Sequence, residues 1–149
     1  MGRLMFLDAS AIVAICADEE DAGYLIAKIE MAKKPIYFSS LSMFEAVVSL
    51  ARIVSISIHG DQEPTSPSMI DQAQQDVERF LETIGAKEMS VNGTMYRSAI
   101  LAARTFGRFV AHPARLNFGD CFSYACAKDY RLPLLFKGND FSHTDVEAA

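Results

Sequence analysis

Short apolar runs that end in a polar residue alternate along this chain with stretches of helical periodicity, and that alternation limits the possible folds more than any other feature. Residues 4–7 are apolar, end at Asp8, and lead into apolar residues at helical spacing over 9–17. Ile36, Tyr37 and Phe38 lie between Pro35 and Ser39, with a helical pattern from 42 to about 54. Residues 69–84 are amphipathic, with Ile70, Ala73, Val77, Phe80, Leu81 and Ile84 spaced by threes and fours, and 87–91 reads as a further short strand. Helical patterns follow over 94–106 and from 117 or 118 to 130, and 133–136 forms a last strand before a polar turn at Gly138. Strands alternating with helices predict an α/β fold: a central, mostly parallel sheet with helices on both faces. The 149 residues suit a single domain over 1–149, with one polar loop or insertion around 55–68 that carries His59, Gly60, Pro64 and Pro67.

Half of the residues are hydrophobic and 22% are charged, enough for a sizeable core and too apolar for disorder. The longest apolar runs, 9–17 and 44–51, are interrupted and fall short of the ~20 residues a bilayer span needs. Asp8 sits inside the first apolar stretch and no basic segment leads into an unbroken apolar run, so a secretory signal is not expected and a cytoplasmic location is. Cys16, Cys121 and Cys126 have apolar neighbours and no paired zinc spacing, and read as core-filling thiols. The net charge of -5 argues against a nucleic-acid partner on average, but no acid occurs between Met89 and Gly119, where Arg97, Arg104, Arg108, His112 and Arg115 fall. That stretch can serve as a phosphate-binding face or as a solvated helix face with extended arginines.

In an open parallel sheet, ligands bind beyond the carboxyl ends of the strands, where loops and helix amino termini meet. Asp8 follows the first strand, Glu45 lies in the first turns after the second, Asp120 opens the helix after Asn117, and Asp140 follows the last strand. Each has an ordinary structural use: Asp8 as a helix cap, and Ser42 to Glu45, Asn117 to Asp120 and Ser142 to Asp145 as capping-box spacings. The acids at 18–21 are expected to cap a second helix against its own dipole. Four carboxylates at one edge would nevertheless repel one another unless a cation sat among them, and oxygen ligands without His or Cys suit Mg²⁺ or Mn²⁺. A phosphate ester is the matching substrate, attacked by a metal-activated water. Ser10 is placed to orient a ligand carboxylate or that water. No serine-hydrolase elbow, nucleotide-binding loop or dinucleotide fingerprint is present, and His59, His112 and His143 share no metal spacing.

At these residues the chain resembles the PIN-domain ribonucleases, and among them the VapC-type toxins of type II toxin-antitoxin pairs. Met5 to Ala11, with Asp8 and Ser10, is similar to the family's first motif; Glu45 within 39–45 is similar to its second acid. Residues 112–125 resemble the most distinctive stretch of one VapC group, with Asp120 as third acid, and 134–141 the closing motif, with Asp140 as fourth. In that motif Asn139 and Asp145 stand as substitutes or assistants to Asp140. The resemblance implies a PIN-like three-layer sandwich and Mg²⁺- or Mn²⁺-dependent endoribonuclease activity, with Asp8, Glu45, Asp120 and Asp140 holding metal. It further implies phosphates received along Arg97 to Arg115, a homodimer, and a cognate VapB-type antitoxin whose arginine enters the acidic cleft. Two other readings remain open: a non-catalytic module that binds RNA or a peptide, and a phosphatase with Asp8 as nucleophile, which Ser10 disfavours because such enzymes often carry a second aspartate there.

Overall fold

The computed structural model describes residues 3–149. Strands β1 (Phe6–Leu7), β2 (Tyr37–Phe38), β3 (Lys87–Glu88) and β4 (Leu134–Leu135) form a four-stranded sheet in the order β3-β2-β1-β4, with every pairing parallel. Phe6 is in register with both Tyr37 and Leu134, and Leu7 with Leu135. Parallel neighbours need long crossovers. These are provided by α1 (Ala9–Cys16), α2 (Ala22–Met31), α3 (Ser40–His59), α4 (Pro67–Thr83), α5 (Met95–Phe106) and α6 (Phe118–Asp129).

Successive strand residues face opposite sides of a sheet, and here that alternation divides the core. Leu7 and Leu135 enter one cluster with Ile12 of α1, Leu25 of α2, Leu50 of α3 and Val77 of α4. Phe6 and Leu134 enter another with Met95 and Ala102 of α5 and Tyr124 and Cys126 of α6. The result is the expected three-layer arrangement, α1 to α4 on one face and α5 and α6 on the other. All three cysteines are free; Cys121 and Cys126 are buried and Cys16 half-buried, and burial pushes each thiol up to about 11, as suits core-filling groups.

Three local expectations are corrected. Helix α3 is longer than the sequence suggested, continuing through His59, so the polar connection shrinks from 55–68 to residues 60–66. Ser55 is fully buried, and Arg52 donates to the carbonyls of Asp61 (2.8 Å) and Glu63 (2.7 Å), holding the short loop against the helix. By length and composition α3 is therefore apolar enough to cross a membrane, contrary to the reading of its broken apolar run. In this fold its inner face packs on α1 and α4. Second, the box that starts α3 joins Ser39 to Ser42, each hydroxyl accepting from the other's backbone N–H (2.9 and 3.1 Å), which frees Glu45 from capping. Third, the acids at 18–21 meet the α2 dipole only through Asp21, which stands at the N-cap without a side-chain hydrogen bond; Glu19 is drawn to Lys137 instead.

Candidate active site

Asp8 ends β1 at the carboxyl edge of the sheet, where its backbone N–H donates to Leu135 O (3.0 Å). Its extended backbone makes it the N-cap of α1, and Oδ2 accepts from Ser10 N at 2.9 Å. The side chain is only 2% exposed, and the second oxygen, Oδ1, is buried without a hydrogen-bond partner among the described residues. A buried carboxylate oxygen without a donor is costly, so capping accounts for half of this side chain and leaves the other half available.

Asp120 divides its oxygens in the same way. At the third position of α6 it closes a capping box with Asn117: Asn117 N donates to Asp120 Oδ2 (3.0 Å) and Asp120 N donates to Asn117 Oδ1 (2.9 Å). Glu45, in the second turn of α3, is half-buried against the first turn of α6 beside Gly119. Asp8, Glu45 and Asp120 line one hollow of about 240 Å³ with Ser10, Glu19, Ser49, Asn117 and Lys137.

The electrostatics register this crowding. Burial, then the charges of Asp8 and Asp120, raise the Glu45 carboxyl to about 7. Burial and the charge of Asp8 likewise raise Asp120 to about 7; the Asn117 hydrogen bond opposes the rise and the charge of Asp140 adds to it. The donor set is all oxygen, it includes the orphaned Asp8 Oδ1, and it carries excess negative charge, which together fit a hard divalent cation. The acids do not yet close into a finished ligand set: among the described residues, no three His, Cys, Asp or Glu side chains meet that geometry.

The remaining predicted residues are placed unequally. Asp140 begins a 3-10 turn (Asp140–His143) after β4; it is exposed and acts on Asp120 by charge without lining the hollow. Asn139 lines a different cavity, with Asp21 and Ser142. Asp145 is engaged elsewhere, accepting from Tyr124 Oη (2.6 Å) and Lys128 Nζ (3.2 Å), and these partners hold its carboxyl below the usual range. Of the basic residues, Arg108, His112 and Arg115 surround one cavity in the α5–α6 connection. His112 also orders that connection: its Nδ1 accepts from Ala114 N (3.0 Å) and its ring meets Phe106 edge-on. Arg97 and Arg104 are exposed on α5 and line neither the acid hollow nor this cavity; the inward face of the helix is that of Met95, Ala99 and Ala102.

A family model described as PIN domain matches residues 5–147. This chain belongs to the PIN-domain family. Several curated relatives are VapC ribonucleases. One from Rhizobium meliloti is 36% identical over 143 residues, covering 96% of this chain and 99% of the relative. VapC28 of Mycobacterium tuberculosis is 36% identical over 148 residues (97% of each chain), and VapC42 of the same species is 37% identical over 145 residues (97% and 98%). These matches put the chain in the VapC branch. The crystal structure of Mycobacterium tuberculosis VapC20, described as a sarcin-ricin loop cleaving toxin, shares the fold at a TM-score of 0.67 and 14% identity, covering 97% of this chain and 98% of that one.

The site of this PIN domain includes Lys137, to which sequence reasoning gave no role, and Glu19, which it assigned to capping α2. Lys137 donates its backbone N–H to Ser10 Oγ (3.0 Å), and its ammonium bonds Glu19 Oε2 (2.6 Å) with Asp21 Oδ1 at 3.8 Å. The bonds tie the segment after β4 to the turn after α1 across one wall of the hollow. The available signal was position: Lys137 lies between β4 and Asp140, at the carboxyl edge already identified as the site.

Proposed function

We propose that this PIN domain is a metal-dependent endoribonuclease, the toxin of a VapBC-type toxin-antitoxin pair, acting in the cytoplasm. The observation that carries the reading is the meeting of Asp8, Glu45 and Asp120 in one hollow at the carboxyl edge of the sheet, in a chain whose relatives are named ribonucleases. Asp8 Oδ1, Glu45 and the free oxygen of Asp120 would hold Mg²⁺ or Mn²⁺, with Asp140 contributing charge from the margin. When bound, such an ion makes a water nucleophilic and stabilises charge on the phosphate oxygens and the leaving group.

The protein's own residues supply the rest. Ser10 connects Asp8, through its backbone N–H, to Lys137, through its hydroxyl, and so fixes the wall that presents Asp8. Arg108, Arg115 and His112 receive phosphates flanking the cut, which explains how an acidic protein holds RNA. Because Glu45 and Asp120 bind protons near neutrality, protons compete with the cation for the same oxygens. A second copy of the chain and a VapB-type antitoxin are the expected partners. An antitoxin arginine in the hollow would neutralise the same carboxylates, giving inhibition an electrostatic cause.

The test is cleavage of total cellular RNA by the purified protein with Mg²⁺, with Mn²⁺ and with chelator, followed by mapping of the ends. Discrete fragments that depend on metal and vanish in Asp120→Asn are expected. RNA binding without metal-dependent cutting would instead support a non-catalytic module, and phosphate release from small monoesters a phosphatase.

A further inference from the structure

Next to the acid hollow lies an apolar groove of about 650 Å³ in which three phenylalanines from separate segments meet: Phe44 of α3, Phe109 of the 3-10 turn Arg108–Val110, and Phe118 at the start of α6. They are 69%, 66% and 66% exposed, although this fold buries Phe6 and Phe141 almost completely. The groove shares Glu45, Ser49 and Asn117 with the acid hollow, and it shares Arg108 with the basic cavity of His112 and Arg115. The three hollows therefore form one continuous track, running from acidic through aromatic to basic.

We propose that this groove is a base-binding subsite, where unpaired nucleobases of the RNA strand stack on Phe109 and Phe118 beside Phe44. The inference rests on the ribonuclease reading and extends it to the substrate class: single-stranded RNA, with one phosphate at the acids and a neighbouring phosphate at Arg108 and Arg115. The order of chemistry along the track matches a nucleotide strand, in which anionic phosphates alternate with flat, weakly polar bases. Stacking on aromatic faces is how proteins hold single strands without reading their edges.

The platform is also preorganised. Arg108 N donates to Leu116 O (3.0 Å) and His112 N to Gly107 O (3.2 Å), while Ala114 and Leu116 are fully buried and anchor the loop that presents Phe109. Gly107 has no room for a Cβ against the Ala103 backbone, so the loop leaves α5 in one direction. Phe118 is braced by Phe122, the ring centroids 5.4 Å apart. Rings carried on a held backbone leave little of the loop to be ordered when a base covers them.

The chain contains no tryptophan, so Phe109→Trp places the protein's one tryptophan in the groove, excitable apart from its tyrosines. Its emission should be quenched by a short single-stranded oligoribonucleotide under chelation, where nothing is cut. Phe109→Ala and Phe118→Ala should each weaken binding of that oligonucleotide about tenfold, as loss of one stacked base implies, and Phe109→Trp should keep wild-type affinity. An oligonucleotide with abasic positions should bind wild type and alanine variants alike. Wild-type affinity in both alanine variants, or a tryptophan emission unmoved at saturating RNA, overturns the subsite while leaving the ribonuclease reading intact if wild type still cuts. A change of oligomeric state by light scattering in the alanine variants, with RNA affinity unaltered, reassigns the groove to contact between copies. Wild-type protein that neither binds nor cuts RNA overturns both.

Discussion

The carboxylate of Glu45 occupies the space that a Cβ on Gly119 would need. One helix thus approaches another through a missing side chain, and the approach sets how far Glu45 reaches toward Asp8 and Asp120. Gly119→Ala is expected to push Glu45 out of the hollow. Alanine suits a helix better than glycine by about 0.5–1 kcal/mol, which offsets part of the clash. The variant should therefore stay folded while losing RNA cleavage and weakening Mn²⁺ binding on the order of tenfold or more, the size of disturbing a metal ligand's support. Calorimetric titration with Mn²⁺ beside a melting curve checks this; unchanged affinity would mean the contact is slack.

Proton binding gives a second prediction. Glu45 and Asp120 rise from 4.5 and 3.8 to about 7 in the folded protein. The folded state therefore holds these protons more tightly than the unfolded state. Their stabilising contribution is complete below the ordinary carboxylate range and is lost as pH rises through about 7. In chelator, the loss of this contribution should lower the melting temperature as pH rises from about 5 to about 8. Added Mg²⁺ should restore it at the alkaline end and do little at the acid end, since at low pH protons already neutralise the carboxylates. A melting temperature in chelator that climbs across this interval, with no Mg²⁺ effect at its upper end, would contradict the assignment.

Asp8→Asn separates two jobs of one residue. The amide oxygen can still accept from Ser10 N, so the cap survives; burial still raises Glu45 and Asp120, but the added push from the Asp8 charge is gone. Cleavage should fall about 100-fold or more, since even an outer partner of a metal ligand is commonly worth 10- to 100-fold. Metal-free stability near neutral pH should not fall, because repulsion is relieved. Parallel cleavage and melting measurements decide, and loss of both together would show that Asp8 acts through the fold alone.

Lys137 and Glu19 are each about one-third exposed, so their ion pair is worth less than about 1 kcal/mol of stability. Their effect on activity should be larger, because the same lysine's backbone positions Ser10 beside Asp8. Lys137→Met and Glu19→Gln are each expected to reduce cleavage roughly tenfold or more at nearly unchanged melting temperature. The double variant should be no worse than the more damaging single one, because both remove the same tie. Additive losses would place the two residues in separate roles.

The site was partly legible in the residues because strand ends are local features. Asp8, Glu45 and Asp120 each follow a recognisable strand or open a recognisable helix, and parallel topology gathers such positions at one edge. Asp140 follows β4 as expected, but it stands at the head of a 3-10 turn that no periodicity predicts and does not line the hollow. Asp145 belongs to Tyr124 and Lys128, a contact across 21 residues for the tyrosine. The end of α3 was misread because serines and β-branched residues lower helix propensity, which tertiary burial of Ser55 overrides.

By itself, then, the order of residues determined the layering: which segments are strands, which face of each helix is apolar, and which acids stand at the carboxyl edge. Those follow from short apolar runs, from the 3.6-residue helical period and from chain order. Only the tertiary structure decided that Asp8 keeps an oxygen without a partner among the described residues, that Glu19 reaches Lys137, that Arg97 and Arg104 do not line the acid hollow, and that Phe44, Phe109 and Phe118 share a groove. Each of these depends on how segments far apart in the chain pack against one another, and local pattern carries no record of that packing.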